Sequence, residues 1–191
     1  MYNFEKRLAE FCGSPYAVSV DCCTHAIELC MRYLAVKKCE LTAYTYLSVP
    51  QTLNLLGIDY TLTNETWQGE YQFHGTPVWD SARCLRPGMY RSEQFQCLSF
   101  GPGKPVDNTR GGAILCGDEH DYRILKTMSY DGRDPDVATW IDQTEYTQGF
   151  HYMMRWEEEE SALKKLNEYI ERGIYEHDYK PYHDCRKIKI T

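Results

Sequence analysis

Three short stretches hold the residues best suited to chemistry. In "SFGPGKPVDNTRGGAILC" (residues 99–116), Lys104 sits in a turn built from Gly101, Pro102, Gly103 and Pro105. The proline after it restricts Lys104 to extended backbone, and the glycines let the chain pass close to a ligand. A lysine held this way acts as a point charge or as an amine nucleophile that forms a Schiff base. A phosphate-cradling P-loop is excluded, because Leu98 and Pro105 stand where that motif needs glycine and a hydroxyl. In "VWDSAR", Asp80 follows a short apolar run, where a carboxylate is costly unless it meets a cation or hydrogen-bond donors. It reads either as a site residue or as a structural Asp bonded to backbone amides. In "DCCT", Cys23 and Thr24 open a helix whose free N–H groups and dipole favour an anion, although Thr24 alone also reads as a simple cap.

Taken together, the three turns ask for a ligand with an anionic end, a cationic ring nitrogen and an aldehyde. Pyridoxal 5′-phosphate has all three: a phosphate for the Cys23/Thr24 helix start, a pyridinium for Asp80 and a carbonyl carbon for Lys104.

The elements around these turns alternate between strand and helix. "YNFEKRLAEFCG" places Phe4, Leu8 and Phe11 on one helical face and stops at Gly13. "YAVSV" (16–20) reads as a strand, and Ala26, Ile27, Cys30, Met31 and Leu34 recur with helical period after it. "ELTAYTY" looks extended, Pro50 suits the first turn of a helix over "QTLNLL" that Gly57 ends, and "IDYTLT" is a strand. Residues 63–75 carry turn formers without periodicity and read as loop. "TPVWD", "FQCLSF" and "GGAILC" are three further strands, and "DEHDYRILKTMS" is a helix with acids in its first turn. Residues 130–150 read as irregular. "RWEEEESALKKLNEYIER" is a long helix with Trp156, Leu163, Leu166 and Ile170 inward and the "EEEE" run as a solvated flank. This order predicts one α/β domain over 1–175, with a mostly parallel sheet between helical layers, and a tail over 176–191. Ligands in such sheets sit at the carboxyl ends of the strands.

Bulk properties narrow the function further. With 21 Lys+Arg against 28 Asp+Glu, the net charge of −7 and the lack of a basic stripe argue against nucleic acid. No apolar run approaches the roughly 20 residues of a spanning helix, and "MYNFEKRLAE" has no signal-peptide core, so a cytoplasmic protein with no membrane partner is expected. The nine cysteines include no CxxC and are expected to be reduced, small and buried. His177, His183, Asp184 and Cys185 are metal-binding types, but their spacing fits no common zinc pattern and no metal site is expected.

The order of motifs resembles the DegT-type sugar aminotransferases, pyridoxal-phosphate enzymes of fold type I. "FEKRLAEFCGSPYAVSVDCCTHAIEL" is similar to that family's opening helix, first strand and phosphate turn. "AYTYLSVPQTLNLLG" is similar to its Thr-aromatic segment, "VWDSARC" to its Asp-x-Ala-Gln strand end, "SFGPGKPVDNTRGGAIL" to its Ser-Phe-x-x-x-Lys segment, and "GFHYMMRW" to its Asn-Tyr-Arg stretch. The resemblance implies the three-layer α-β-α large-domain fold, reduced in size and lacking most of the small domain. It implies Tyr46 stacked on the cofactor ring, Ser99 at the phosphate, Asp80 at the pyridine nitrogen and Lys104 as the Schiff-base lysine. His151 would contact the cofactor across a homodimer interface. The expected reaction moves an amino group from a small-molecule donor to a keto sugar, with a cofactor-binding or regulatory module lacking turnover as the alternative. The chain departs from the family pattern at Arg83, where a Gln usually meets the cofactor's phenolic oxygen, at Arg110, where an acid usually precedes Gly-Gly, and at His151 and Met153. Arg83 is left with two roles, the phenolic oxygen or a substrate carboxylate, beside the plain reading as a surface arginine.

Overall fold

The computed structural model describes residues 2–137 and 139–188, so the last three residues of the expected tail lie outside the described residues. The first helix, α1 (Asn3–Cys12), buries Phe4, Leu8 and Phe11 as its spacing requires, and Gly13 ends it in the left-handed conformation at φ 74°. Strand β1 (Tyr16–Val20) leads into α2 (Cys23–Tyr33). Next come β2 (Lys38–Thr42), α3 (Ser48–Leu55), β3 (Asp59–Thr63), β4 (Tyr71–Gln72) and β5 (Val78–Asp80). The chain continues with β6 (Phe95–Ser99), β7 (Gly112–Cys116), α4 (Glu119–Ser129), whose Asp118 cap accepts from the Asp121 amide, and α5 (Trp156–Arg172).

Five strands pair in the order β1-β7-β6-β5-β4, and β2 pairs with β3 alongside. β1, β5 and β6 run the same way, with β7 and β4 reversed between and beside them. β2 and β3 are parallel to each other, and Glu40 bridges antiparallel to His74 just past β4, so they run with β1, β5 and β6. The expected mostly parallel sheet is therefore mixed in its ladders. β7 follows β6 through the loop over 100–111, with no crossover helix between them, and returns antiparallel to it in the slot beside β1.

The sheet has a core on each face. Val18, Val20, Ile114, Cys116 and Cys97 face the side covered by α2, α3 and α4. Ala17, Ala113, Leu115 and Leu98 alternate to the other face and meet Phe4 and Leu8 of α1 and Leu166 and Tyr169 of α5. These are the three α-β-α layers. Among the described residues no helix is long and apolar enough to cross a membrane.

Three expectations require correction. The stretch 63–75 is not all loop: Tyr71 and Phe73 alternate inward and β4 pairs with β5 through Tyr71–Asp80. The strand read over "ELTAYTY" begins earlier, at Lys38, and stops at Thr42. The "EEEE" run is not wholly solvated, and Trp156 is 67% exposed rather than inward. Glu159 is buried, because its turn of α5 lies over β1, where its carboxylate meets the Ser19 hydroxyl.

That contact belongs to a buried polar network. Glu5 Oε1 accepts from the Ser19 amide at 2.8 Å, from the Ser19 hydroxyl at 2.9 Å and from Lys126 Nζ at 2.7 Å. Burial pushes the Glu159 carboxyl above its usual range, while the Ser19 bond and the Lys126 charge pull it back. One ammonium thus serves two carboxylates drawn from α1 and α5. Lys126→Met leaves both buried without a cation, and urea denaturation is expected to show a loss of about 3–5 kcal/mol. A loss below about 1 kcal/mol would mean that Lys126 does not neutralise a buried carboxylate there.

Candidate active site

Strands β1, β5 and β6, which share a direction, end at one edge, and each delivers a residue there: Asp21-Cys22 after β1, Asp80 at the end of β5 and Ser99 at the end of β6. Gly112, which opens β7, pairs with both Val20 and Ser99 and so sits between two of these ends. A Cβ at Gly112 would lie 2.5 Å from the Cys22 carbonyl carbon and the Cys23 nitrogen, so only glycine lets the first turn of α2 settle against the sheet edge.

A cavity of about 530 Å³ opens at this edge. Cys23, Thr24, Tyr46, Asp80, Arg83, Ser99 and Lys104, predicted from separate parts of the sequence, all line it. His151 does not. It lies exposed on another part of the surface, where Nδ1 is 3.1 Å from the Asp131 carboxylate and its backbone bridges Tyr130.

Asp80 forms the floor. Its Oδ2 accepts from the Tyr71 hydroxyl at 2.9 Å and its Oδ1 from the Ala82 amide at 2.9 Å. The Tyr71 proton is committed to Asp80, so the Thr45 hydroxyl, 2.6 Å away, donates to Tyr71. Burial pushes the Asp80 carboxyl up. The Ala82 and Tyr71 bonds, then the charges of Lys104 and Arg83, act the other way.

Lys104 follows β6 on a turn closed by its own amide bonding the Gly101 carbonyl at 3.3 Å. Gly103 at φ 71° and the Asp107 carboxylate, which accepts from the Gly103 and Thr109 amides at 2.8 and 3.0 Å, hold the turn's shape. Lys104 Nζ is 3.2 Å from the hydroxyl of Tyr182. At the other end, Thr24 Oγ1 is 2.7 Å from Ser48 Oγ, and both hydroxyls face the cavity beside the free amides of α2. Burial pushes the Cys23 thiol well up, so it adds no negative charge there. The Tyr46 ring is 57% exposed and keeps a face open to the cavity.

Next to this end, Asp21 bonds His25 Nδ1 at 2.6 Å and Arg110 at 2.6 Å, and the His25 ring stacks on Tyr152 at 3.6 Å. Burial opposes charge on His25, but the hydrogen bonds to Asp21 and Cys22 outweigh it and push its pKa up to about 10. Asp21, Cys22 and His25 place their ligand atoms within 4.8 Å of one another. Two positive groups already occupy Asp21, which opposes a metal cation. The histidines and cysteine of the tail do not converge either: His177 bonds Tyr169, Asp184 bonds Arg186 and Cys185 bonds the Thr45 carbonyl.

The sequence reading missed the tail's contribution. Beyond Gly173 the chain returns across the cavity mouth, tied by the Cys185 amide to the Ala43 carbonyl at 2.9 Å and by Arg186 to Asn64 at 2.8 Å. Tyr179 and Tyr182 thereby join the lining, with the Trp67 ring 6.1 Å from that of Tyr182. Their signal was only a density of aromatics without period.

As geometry, the site offers one amine, one desolvated carboxylate and one anion cradle around a space suited to a planar ring. The DegT/DnrJ/EryC1/StrS aminotransferase family model matches residues 1–63. No curated protein matches the chain. Among solved structures, the chain is similar to Spr1654 from Streptococcus pneumoniae, described as a sugar aminotransferase in its PLP form, with 18% identity and a TM-score of 0.71 over 88% of this chain and 59% of that one. It is similar to AtS13 from Actinomadura melliaura at 15% identity and a TM-score of 0.74, over 88% and 59% of the two chains. DesV from S. venezuelae, solved in complex with a ketimine intermediate, gives 17% identity and a TM-score of 0.66 over 88% and 56%. The chain thus spans a little under three fifths of these relatives.

The charged His25 makes a prediction. Its folded pKa of about 10 lies above the ordinary 6.5, so its contribution to stability is fully present below pH 6.5 and is lost as pH rises toward 10. Urea midpoints measured from pH 6 to pH 10 should fall for the wild type and fall less for His25→Gln; equal slopes would remove the charge from His25. The fold is that of the three-layer α-β-α sugar aminotransferases, and the first third of the chain matches their family model.

Proposed function

We propose that the chain is a pyridoxal-phosphate-dependent aminotransferase that moves an amino group between a small-molecule donor and a keto sugar. The observation that carries this reading is the convergence of Lys104, Asp80, Tyr46 and the α2 start on one cavity. The fit is chemical: the cavity pairs hydroxyls and free amides for a phosphate with a buried carboxylate for a ring N–H and an amine for an aldehyde.

Bound there, the cofactor supplies an electrophilic carbon and a ring that takes up electrons from the reacting centre. Thr24 and Ser99, with the amides of Cys23 and Thr24, hold the phosphate. Asp80, fixed by Tyr71 and Ala82, accepts the proton-bearing ring nitrogen and keeps it charged. Tyr46 packs on the ring face. Lys104 Nζ would hold the cofactor through its carbonyl carbon and, when free, would be the base that takes the proton from the substrate α carbon. Arg83 belongs to the same lining. The assembly we propose is a homodimer in the cytoplasm, with His151, remote from its own cavity, available to that of a second copy.

Purified protein titrated with pyridoxal phosphate should gain a visible absorbance band that borohydride bleaches and that Lys104→Ala lacks. Glutamate should then convert the band in the wild type. A band that forms but ignores glutamate would favour the alternative, a cofactor-binding module without turnover. No Lys104-dependent band would end the proposal.

A further inference from the structure

The cavity holds more positive charge than one bound anion needs. Lys104 and Arg83 both line it along with the N-terminal amides of α2, while its single carboxylate, Asp80, is already engaged by Tyr71 and Ala82. The cradle at Thr24 lies on α2, whereas Arg83 lies three residues past Asp80 and faces the tail. The two anion-binding features are separate.

The tail holds Arg83 in an unusual way. Its guanidinium lies 3.7 Å from the ring centre of Tyr182, 5.0 Å from that of Tyr179 and 5.7 Å from that of Trp67. Its Nη1 donates to the Lys180 carbonyl at 2.7 Å, the guanidinium's one hydrogen bond among the described residues. Aromatic stacking uses the faces of a guanidinium and leaves its edge free, and a guanidinium has five N–H donors. Most of the fork is therefore unspent while its position is fixed. Tyr182 also sets where that fork stands relative to the reactive amine. Its ring supports Arg83 and its hydroxyl meets Lys104 Nζ, so the two cations are one aromatic ring apart. A substrate whose reacting nitrogen meets Lys104 thus has Arg83 as a cation for its carboxylate on the same ring support.

We propose that Arg83, at a position where the pattern the sequence resembles has Gln, is the residue that binds the substrate carboxylate in this cavity, held ready by Tyr182 and the Lys180 carbonyl. This rests on the aminotransferase reading for the identity of the reaction, but the carboxylate contact itself can be measured without it. Between the two roles that the sequence leaves open for Arg83, the tail's grip favours the carboxylate, because it fixes the guanidinium at the mouth beside Tyr179 and Lys180 rather than on the floor with Asp80.

The test is calorimetric titration of the full chain with 2-oxoglutarate and, separately, with inorganic phosphate. For Arg83→Gln the dissociation constant for 2-oxoglutarate should rise about tenfold or more, while that for phosphate stays within about twofold of the wild type because its cradle is elsewhere. Arg83→Lys, which keeps the charge and loses the fork, should fall between the two for 2-oxoglutarate. Unchanged 2-oxoglutarate binding in Arg83→Gln overturns the assignment. So does an equal loss of phosphate, which would make Arg83 a general support of the cavity, and so does a wild type that binds no 2-oxoglutarate. Failure of the aminotransferase reading shows separately: the Lys104-dependent absorbance band would be missing from the wild type and from Arg83→Gln alike.

Discussion

The site depends on keeping the Asp80 carboxylate out of water. A desolvated carboxylate is stable only with donors in place, and the fold supplies them from two directions, the Ala82 amide along the chain and the Tyr71 hydroxyl from the neighbouring strand. The second donor explains why the two-residue β4 exists. Without its pairing to β5, Tyr71 would not stand beside Asp80, and Thr45 would have no hydroxyl to support. The positive groups of the cavity complete the balance, since the charges of Lys104 and Arg83 offset part of the burial cost.

A second constraint is steric. β7 is wedged antiparallel between β1 and β6, and its first residue has to pass under the opening of α2. The missing side chain at Gly112 lets the phosphate-type cradle and the Lys104 turn share one edge. Arg110, one of the departures from the pattern the sequence resembles, has its own counterpart here: it bonds Asp21 at the other side of the same junction. The residue type differs from the one the resemblance implies, and in this chain the junction is closed by the Arg110–Asp21 ion pair.

The residues at strand ends were legible because a simple rule applies to them: where strands share a direction, side chains just past their carboxyl ends gather at one edge. Cys23, Thr24, Asp80 and Lys104 follow that rule, whereas Ser99 and Arg83 were singled out through the resemblance and line the same cavity. Tyr46 came from the resemblance and also lines the cavity. His151 came from the resemblance as well, but the backbone bridge to Tyr130 holds it against Asp131, away from this chain's cavity. Tyr182 was illegible for a different reason. It lies 78 residues from Lys104 on a segment with no period, and nothing local encodes the return of that segment. Glu159 was misread because charge runs are usually solvated, and its burial depends on a serine 140 residues away.

The Glu5–Ser19–Lys126–Glu159 network also bears on how the chain reaches its native state. Its contacts join positions 121 and 140 residues apart, so each closes a very long loop. During synthesis α1 and β1 emerge with a buried acid and no ammonium to meet it, and the last acid arrives only with α5. Contacts of such span are formed late and slow the search, which makes docking of α5 onto α1 and β1 a late step of folding and leaves earlier intermediates with an open, charge-lined seam.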